Sequence, residues 1–397
     1  MNPSHALFAA SLLGVLLVGL QVIVLRRHVR AKIGAPADLP GISILKPLCG
    51  VDEDLGRSLE VFAGLDYPQF EVLLGVKDPV DPAWPLAAAA AARWPGRFRL
   101  VRQQGEPGLN PKVNQLITLS RAARYDVLVV SDSNVRVRPG YLREIAAHLG
   151  AEDVGLVTHP IVGVGEHSIG ALFENLHLAA SVATGMVAAK QLAGRDVVVG
   201  KSMALRRRDL DALGGFECVK DVLAEDYVLG VKVPSELGKR VAIASEPVEN
   251  VNQDRPLSAF VSRYTRWCVM QRKIAGSIVY GSQVFLNPVA FAVAAAVVSP
   301  EAASATLLAA ICAAKAVLDD AAARTLRGRG FRWRWLLLAP VKDLVFAVAW
   351  ARGFVWNTVT WRGHRLRVLP GSALAPTQGR QPEEMLEDVE RTLATEP

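Results

Sequence analysis

Residues 7–25, LFAASLLGVLLVGLQVIVL, form a run of 19 residues without a charge. At ~1.5 Å per residue, a helix of that length reaches roughly 28 Å, enough for the hydrocarbon core of a bilayer. This feature constrains the fold most, because such a helix must be covered by lipid or by a large core. A cleaved signal peptide would open on positive charge, carry a shorter apolar run and end at a small-residue cleavage site. Here the leading MNPSHA has no Lys or Arg, and Arg26, Arg27, Arg30 and Lys32 follow the run instead. A retained transmembrane helix is expected over residues 1–30, with its N-terminus outside and residue 26 onward in the cytoplasm.

A second apolar region, residues 284–318, breaks at Ser299-Pro300-Glu301. It reads as a hairpin of two short membrane helices; the alternative is a buried helical pair of a soluble domain. Arg324, Arg327, Arg329, Arg332 and Arg334 follow, interleaved with Phe331, Trp333 and Trp335. Arginine beside tryptophan is typical of a cytoplasmic membrane interface. A third region, residues 335–355, carries Pro340, Lys342 and Asp343 in its middle. A centred ion pair is costly in lipid, so an interfacial or re-entrant helix pair is expected rather than a plain span. Residues 284–360 thus form a C-terminal membrane region, and residues 361–397 a cytoplasmic tail. That tail is basic first (Arg362, Arg365, Arg367), then acidic from Gln381, with a short amphipathic helix expected from Pro382.

The chain carries 45 Lys and Arg against 38 Asp and Glu, a net charge of +7. Its basic excess sits at membrane edges, so the charge balance calls for no nucleic-acid partner. The mean hydropathy of +0.24 excludes a disordered chain. Four cysteines without paired spacing exclude a disulfide scaffold and a Cys-rich zinc site. Heavy use of Ala and Arg with little Lys suggests a GC-rich bacterium, hence an inner membrane with the stretch from residue 26 onward on its cytoplasmic face.

Between the apolar regions, short apolar runs alternate with helical patterns. Strands are expected at Ile42–Leu45, Phe70–Val76, Phe98–Val101, Val127–Val130 and Val154–Val157, with helices such as Asp54–Leu65 and Pro85–Arg93 between them. Such alternation implies an α/β fold with a mostly parallel sheet covered on both faces, here over residues 40–280. Ligands of such sheets bind at the carboxyl ends of the strands. Asp78 follows one strand, and Asp132-Ser133-Asn134 follows another. Asp78 suits a turn as well as a ligand. Asp132, with two further hard oxygen donors beside it, suits a metal bound to a diphosphate, or an Asx-turn. Glu225-Asp226 opens a helical pattern, where acids also serve as caps. Arg263 and Arg266, three residues apart, share one helix face with Trp267 following. Lys112 is a phosphate contact or a surface lysine.

Taken together, KPLCGVDEDL (46–55), LDYPQFEVLLGVKDP (65–79), LNPKVNQL (109–116), YDVLVVSDSNVRV (125–137), LAEDY (223–227) and RYTRW (263–267) resemble the ceramide glucosyltransferase family, glycosyltransferase family 21, with its family-2-like GT-A fold. The resemblance covers residues 42–275. It implies a nucleotide-sugar-binding sheet, one N-terminal transmembrane helix and C-terminal transmembrane or interfacial helices. By position, the family's first two aspartates fall on Asp78 and Asp132, and its catalytic base on Asp226. Its arginine-tryptophan signature falls on Arg263, Arg266 and Trp267. One departure concerns the second position, where relatives often carry a full DxD and this chain has Asp132-Ser133-Asn134. The implied activity is inverting transfer of glucose from a UDP-sugar to a membrane lipid hydroxyl, that of ceramide. The alternative is a hopanoid-lipid N-acetylglucosaminyltransferase. Asp78, Asp132, Lys112, Arg263 and Arg266 would hold the donor, Asp132 a divalent metal (Mg or Mn), and Trp267 the acceptor side. A transporter would need polar residues inside its spans, which hold few apart from Lys315. A dead scaffold would have no need of all three aspartates.

Overall fold

The computed structural model describes residues 3–361 and 364–377. Its strands are β1 Ile42–Leu48, β2 Phe70–Val76, β3 Phe98–Arg102, β4 Val127–Ser131, β5 Val135–Arg136, β6 Val154–Thr158, β7 Ile161–Val164, β8 Ser202–Arg206, β9 Arg240–Ile243, β10 Val248–Val251, β11 Thr358–Trp361, β12 His364–Val368 and β13 Leu374–Pro376. Seven of them form the main sheet, in the order β3-β2-β1-β4-β8-β6-β9. All five strands expected from the sequence are present.

The strand sequences explain the layers. β1, β2 and β4 are buried along their whole length. Alternate residues point to opposite faces: Ile42, Ile44, Val72, Leu74 and Val129 enter one core, while Leu45, Leu73, Leu128 and Val130 enter the other. Both faces are therefore covered, and near-continuous apolar runs follow. The sheet is parallel except at β8, which runs antiparallel between β4 and β6. That insertion matters for the site, because it brings the residues just before Ser202 beside the end of β4. A smaller sheet, β5-β10-β7, stands next to the main one.

Among the described residues, two helices are long and apolar enough to cross a membrane, Pro3–Arg30 and Ala302–Arg327, or up to three spans if a bent pair counts as one. That pair joins Leu257–Leu286 to Pro288–Val298 at 75°. Both long helices meet the α/β unit with their arginine-bearing C-terminal ends. His28 Nε2 lies 2.9 Å from the Ala244 carbonyl, and Arg138 donates to the Leu326 carbonyl at 2.8 Å.

The apolar regions differ from expectation in two ways. The break at 299–301 is present, but the helix before it, Pro288–Val298, has only 11 residues. At ~1.5 Å per residue it is too short to span alone. The third region is not a re-entrant pair: after a single turn, Trp333–Leu336, it is one helix, Ala339–Val355. The costly Lys342 and Asp343 are accommodated by a second pair, Lys315 and Asp319, on the Ala302–Arg327 helix. Within the expected tail, β12 and β13 form a sheet with β11, and Ser372 accepts from the Leu223 backbone at 2.8 Å. Arg362 and the acidic stretch from Gln381, with the helix expected at Pro382, lie outside the described residues.

Candidate active site

At the carboxyl edge of the main sheet, three lysines and three acids come together. Asp132 follows β4, and each of its oxygens faces an ammonium: Lys112 Nζ is 3.0 Å from Oδ1, and Lys201 Nζ is 2.9 Å from Oδ2. Lys112 also pairs with Glu225 at 2.7 Å and donates to the Gly200 carbonyl at 3.0 Å. Lys46, on β1, is fully buried and donates to the Asp132 carbonyl at 2.7 Å and to Ser131 Oγ at 3.1 Å. Its ammonium also sits 4.0 Å above the Phe62 ring.

Local sequence sets each of these positions. Asn110 caps the Pro111–Ala122 helix by accepting from the Lys112 and Val113 amides at 3.0 and 3.2 Å, and Pro111 suits the first helical position. Lys112 is thereby fixed in the first turn. Antiparallel pairing of β4 with β8 sets Ser131 opposite Ser202, so Lys201 stands beside Asp132. The Glu225–Leu237 helix opens with Glu225 and Asp226, acids that the helix N-terminus favours. Asp226 Oδ2 accepts from the Gly200 amide at 2.5 Å, and Oδ1 from the Tyr227 amide at 2.8 Å. Gly200 has no room for a side chain: a Cβ there would stand 2.8 Å from Asp226 Oδ2 and 3.1 Å from Lys112 Nζ.

The electrostatics separate the two aspartates. Desolvation, then the Glu225 carboxylate, push the Asp226 carboxyl up to about 6. Burial alone would raise Asp132 as well, but Lys112 and Lys201 outweigh it and hold that carboxyl well below the usual range. One acid is thus permanently charged, while its neighbour can exchange a proton near neutrality. Burial brings Lys46 down to about 7 despite Asp132. Lys201 is lowered too, by burial, against the pull of Asp132.

The structure gathers Asp132, Lys112 and Asp226, as the sequence suggests, and adds Lys46, Lys201 and Glu225. Lys112 is not a surface lysine; its side chain is only 11% exposed. Arg263 reaches the edge of the cluster, where its charge acts on Lys201, while its guanidinium pairs with buried Glu174. Arg266 is half-buried on the same helix, and the Trp267 ring meets Tyr264 edge-on at 5.5 Å. Asp78 stands apart. Its Oδ1 accepts from the Val80 amide at 3.0 Å in the turn after β2, two strands from β4 and so ~10 Å across the sheet.

Two of the oxygen donors first considered for a metal are otherwise engaged. Asn134 is buried, with Oδ1 accepting from Lys201 at 2.9 Å and Nδ2 donating to the Val251 carbonyl at 3.2 Å. The Ser133 hydroxyl donates to Asp52. Among the described residues, no group of three His, Cys, Asp or Glu could hold a metal ion. The set still suits a cation shared with a diphosphate, which needs one or two carboxylates. Asp132 could provide that carboxylate once Lys201 moves off Oδ2.

The architecture is thus a doubly covered, mostly parallel sheet with a charged cluster at its carboxyl edge, joined to helices long and apolar enough to cross a membrane. The family model "Glycosyl transferase family 21" matches residues 6–374, and the chain belongs to that family. It is 30% identical over 238 residues to ceramide glucosyltransferase 1 of Caenorhabditis elegans, covering 59% of this chain and 51% of that protein. It is 29% identical over 240 residues to ceramide glucosyltransferase 3 of the same organism, with the same coverage. The matched stretch thus spans about half the length of these relatives. Among solved structures, a mannosyltransferase from Pyrobaculum calidifontis in complex with GDP-Man and Mn2+ is similar at 19% identity and a TM-score of 0.46, over 88% of this chain and 97% of that one. Glucosyl-3-phosphoglycerate synthase from Mycobacterium tuberculosis, with Mn2+, UDP and glucosyl-3-phosphoglycerate, is similar at 16% identity and a TM-score of 0.39, over 62% and 80%.

Proposed function

We propose that this protein is an inverting hexosyltransferase that moves glucose from UDP-glucose to the primary hydroxyl of a membrane lipid, ceramide. The observation that carries this reading is the gathering of Asp226 and Asp132 around Lys112, Lys201 and the Gly200 amide at one sheet edge, where burial and Glu225 raise the Asp226 carboxyl and the two lysines hold that of Asp132 down. Both Asp226 oxygens take a backbone amide, which fixes the carboxylate and leaves lone pairs free. Asp226 removes the proton of the lipid hydroxyl as that oxygen attacks the anomeric carbon. The bond from that carbon to the diphosphate oxygen breaks, and UDP leaves. Such a base contributes typically ~10²–10⁴ in rate. Direct displacement turns an α-linked donor into a β-glycoside.

Lys112, Lys201, Arg263 and Arg266 provide positive charge for the diphosphate, and Asp78 lies far enough along the sheet edge for the nucleoside. A divalent metal, when bound at Asp132, would neutralise charge on the departing diphosphate. Trp267 bounds the acceptor side. In the division we propose, residues 1–30 anchor the chain, 40–280 carry the chemistry and 284–360 form the membrane region. Segment 364–376 belongs with the catalytic unit, because it docks on the backbone just ahead of Asp226. The two long helices, entering that unit at their arginine-bearing ends, support an active site on the cytoplasmic face, and the Ala- and Arg-rich, Lys-poor composition is what favours a bacterial inner membrane.

The test offers the purified full chain UDP-glucose or UDP-N-acetylglucosamine with ceramide, a hopanoid alcohol, diacylglycerol or a soluble oligosaccharide. A β-linked glucosylceramide is expected. Transfer to the oligosaccharide alone would contradict a lipid acceptor. Transfer to the hopanoid alone, from UDP-N-acetylglucosamine, would replace this reading with the hopanoid one.

A further inference from the structure

A second charged cavity shares no residue with the lysine cluster; Asn134 stands between them, accepting from Lys201 and donating to the carbonyl of Val251 in the cavity wall. Arg57, Arg136, Arg327 and Arg329 line a space of about 230 Å³, together with Glu249 and Gln253. The small sheet forms its floor: Arg136 pairs in register with Glu249, and Val164 with Val251, so these side chains share one face.

The four arginines fall into two pairs. Arg136 is held by Asp54, and Arg327 by Glu166 at 2.8 Å. The Arg327 side chain is only 2% exposed, and its guanidinium also stacks over Phe331 at 4.4 Å. These anchors fix the two guanidinium planes without saturating them. Arg136 Nε and Arg327 Nε and Nη1 are buried and have no acceptor. A buried charged donor without an acceptor is destabilising, and native interiors rarely keep one unless a ligand completes it. Arg57 and Arg329 form an exposed rim, and neither guanidinium makes a hydrogen bond or ion pair among the described residues. Glu249, Asp54 and Glu166 are set against the four guanidinia, so these seven groups together leave one positive charge; Glu53, beside Gln253, and Asp52 are both within ion-pair reach of Arg255.

We infer that this cavity is a binding site for a phosphate oxyanion, a phosphomonoester or phosphodiester gripped by the four arginines. Planar guanidinia match phosphate geometry through paired N–H donors, as a lysine does not. The cavity is smaller than the ~300–1,000 Å³ that encloses a drug-sized ligand, so it takes a headgroup and not a whole lipid. Arg327 is the last residue of the Ala302–Arg327 candidate span, and Trp333 beyond it is 75% exposed. The site therefore lies where that helix would leave the bilayer, at the depth of phospholipid phosphates. Two sources share the chemistry: the phosphodiester of a membrane phospholipid and free phosphate. The inference does not depend on the transferase reading, and its test does not use activity.

The full chain is purified with Arg57→Gln/Arg329→Gln, a rim variant that removes no ion pair, and with Arg327→Gln. Binding is measured to inorganic phosphate in detergent and, with the protein inserted in nanodiscs of phosphatidylcholine with and without phosphatidylglycerol, to phospholipid retained by the protein on release into native mass spectrometry. Saturable binding to one probe is expected, weakened about tenfold or more in both variants. Phosphate as that probe identifies a soluble ligand, and nanodisc phospholipid identifies a lipid headgroup. Should Arg327→Gln fail to fold, the rim variant alone decides. Unchanged binding of both probes in a folded rim variant would overturn the inference. So would an equal loss in Arg26→Gln/Arg27→Gln, which removes two exposed arginines from another helix end.

Discussion

The molecule buries charge in two places, and they are built on opposite plans. At the sheet edge, Lys46, Lys112 and Lys201 face Asp132, Glu225 and Asp226, with side chains of Lys112, Lys201 and Asp132 still 11%, 17% and 22% exposed. Between the membrane-region helices, Lys315, Asp319, Lys342 and Asp343 close a ring that is at most 7% exposed. Its contacts run from Lys315 to Asp319 at 2.5 Å and to Asp343 at 3.2 Å, then from Lys342 to Asp343 at 2.5 Å and to Asp319 at 3.7 Å. The first cluster draws on backbone amides, carbonyls and an asparagine, and its two aspartates differ in proton affinity. The second has equal numbers of each sign and no opening. An open cluster with unequal acids can exchange protons and ligands, whereas a closed neutral ring satisfies its own charges between two helices.

Substitutions should separate the two plans. Asp226→Asn has the largest expected effect: transfer should fall about 10²–10⁴-fold while donor binding stays within a few fold, read by initial rates and by UDP titration. Next is Asp319→Leu, which leaves two lysines facing one acid. Losing one partner of a buried pair costs about 3–5 kcal/mol, so thermal unfolding in detergent should move down sharply. Lys315→Leu/Asp319→Leu should restore part of that loss, because no unmatched charge remains. A double variant less stable than the single would contradict the ring as drawn.

Smaller effects sharpen the first cluster. Lys201→Met removes the cation now resting on Asp132 Oδ2, and should tighten Mn2+ binding about tenfold, measured by electron paramagnetic resonance without substrate. Weaker Mn2+ binding would mean that Lys201 supports the metal and does not compete with it. The rate should also depend on pH through Asp226. A base works only when deprotonated, so turnover should rise with pH and level off above about 6. Glu225 raises that value, so Glu225→Gln should move the acid limb to lower pH. An unmoved limb would assign the titration to another group.

The sequence showed the open cluster more readily than the closed one, for physical reasons. Asp132 and Asp226 sit where short-range patterns end, at a strand terminus and a helix start, whereas the choice for Lys112 between a phosphate contact and a surface lysine is made by the Asn110 cap that fixes it in the first helical turn. Lys201 gives no such signal, because it reaches Asp132 only through the antiparallel pairing of β8 with β4. Lys46 lies inside an apolar strand, and its role depends on the neighbouring β4. Asn134 looked like a metal donor in the linear sequence, but folding spends its oxygen on Lys201. In the ring, Lys342 and Asp343 stood out as costly and Lys315 as a lone polar residue. Their mutual neutralisation depends on how two helices pack, which periodicity within either helix does not reveal.

The central claim is that the sheet-edge cluster carries the chemistry and the helical ring carries only stability. The most direct measurement is turnover of UDP-glucose and ceramide per folded molecule, with Asp226→Asn and Asp319→Leu assayed side by side. Asp226→Asn should fold normally and turn over at a small fraction of the parent rate. Asp319→Leu should be scarce or easily unfolded, yet each folded molecule should work at nearly the parent rate. Near-normal turnover by Asp226→Asn, or a catalytic collapse in folded Asp319→Leu, would contradict the account.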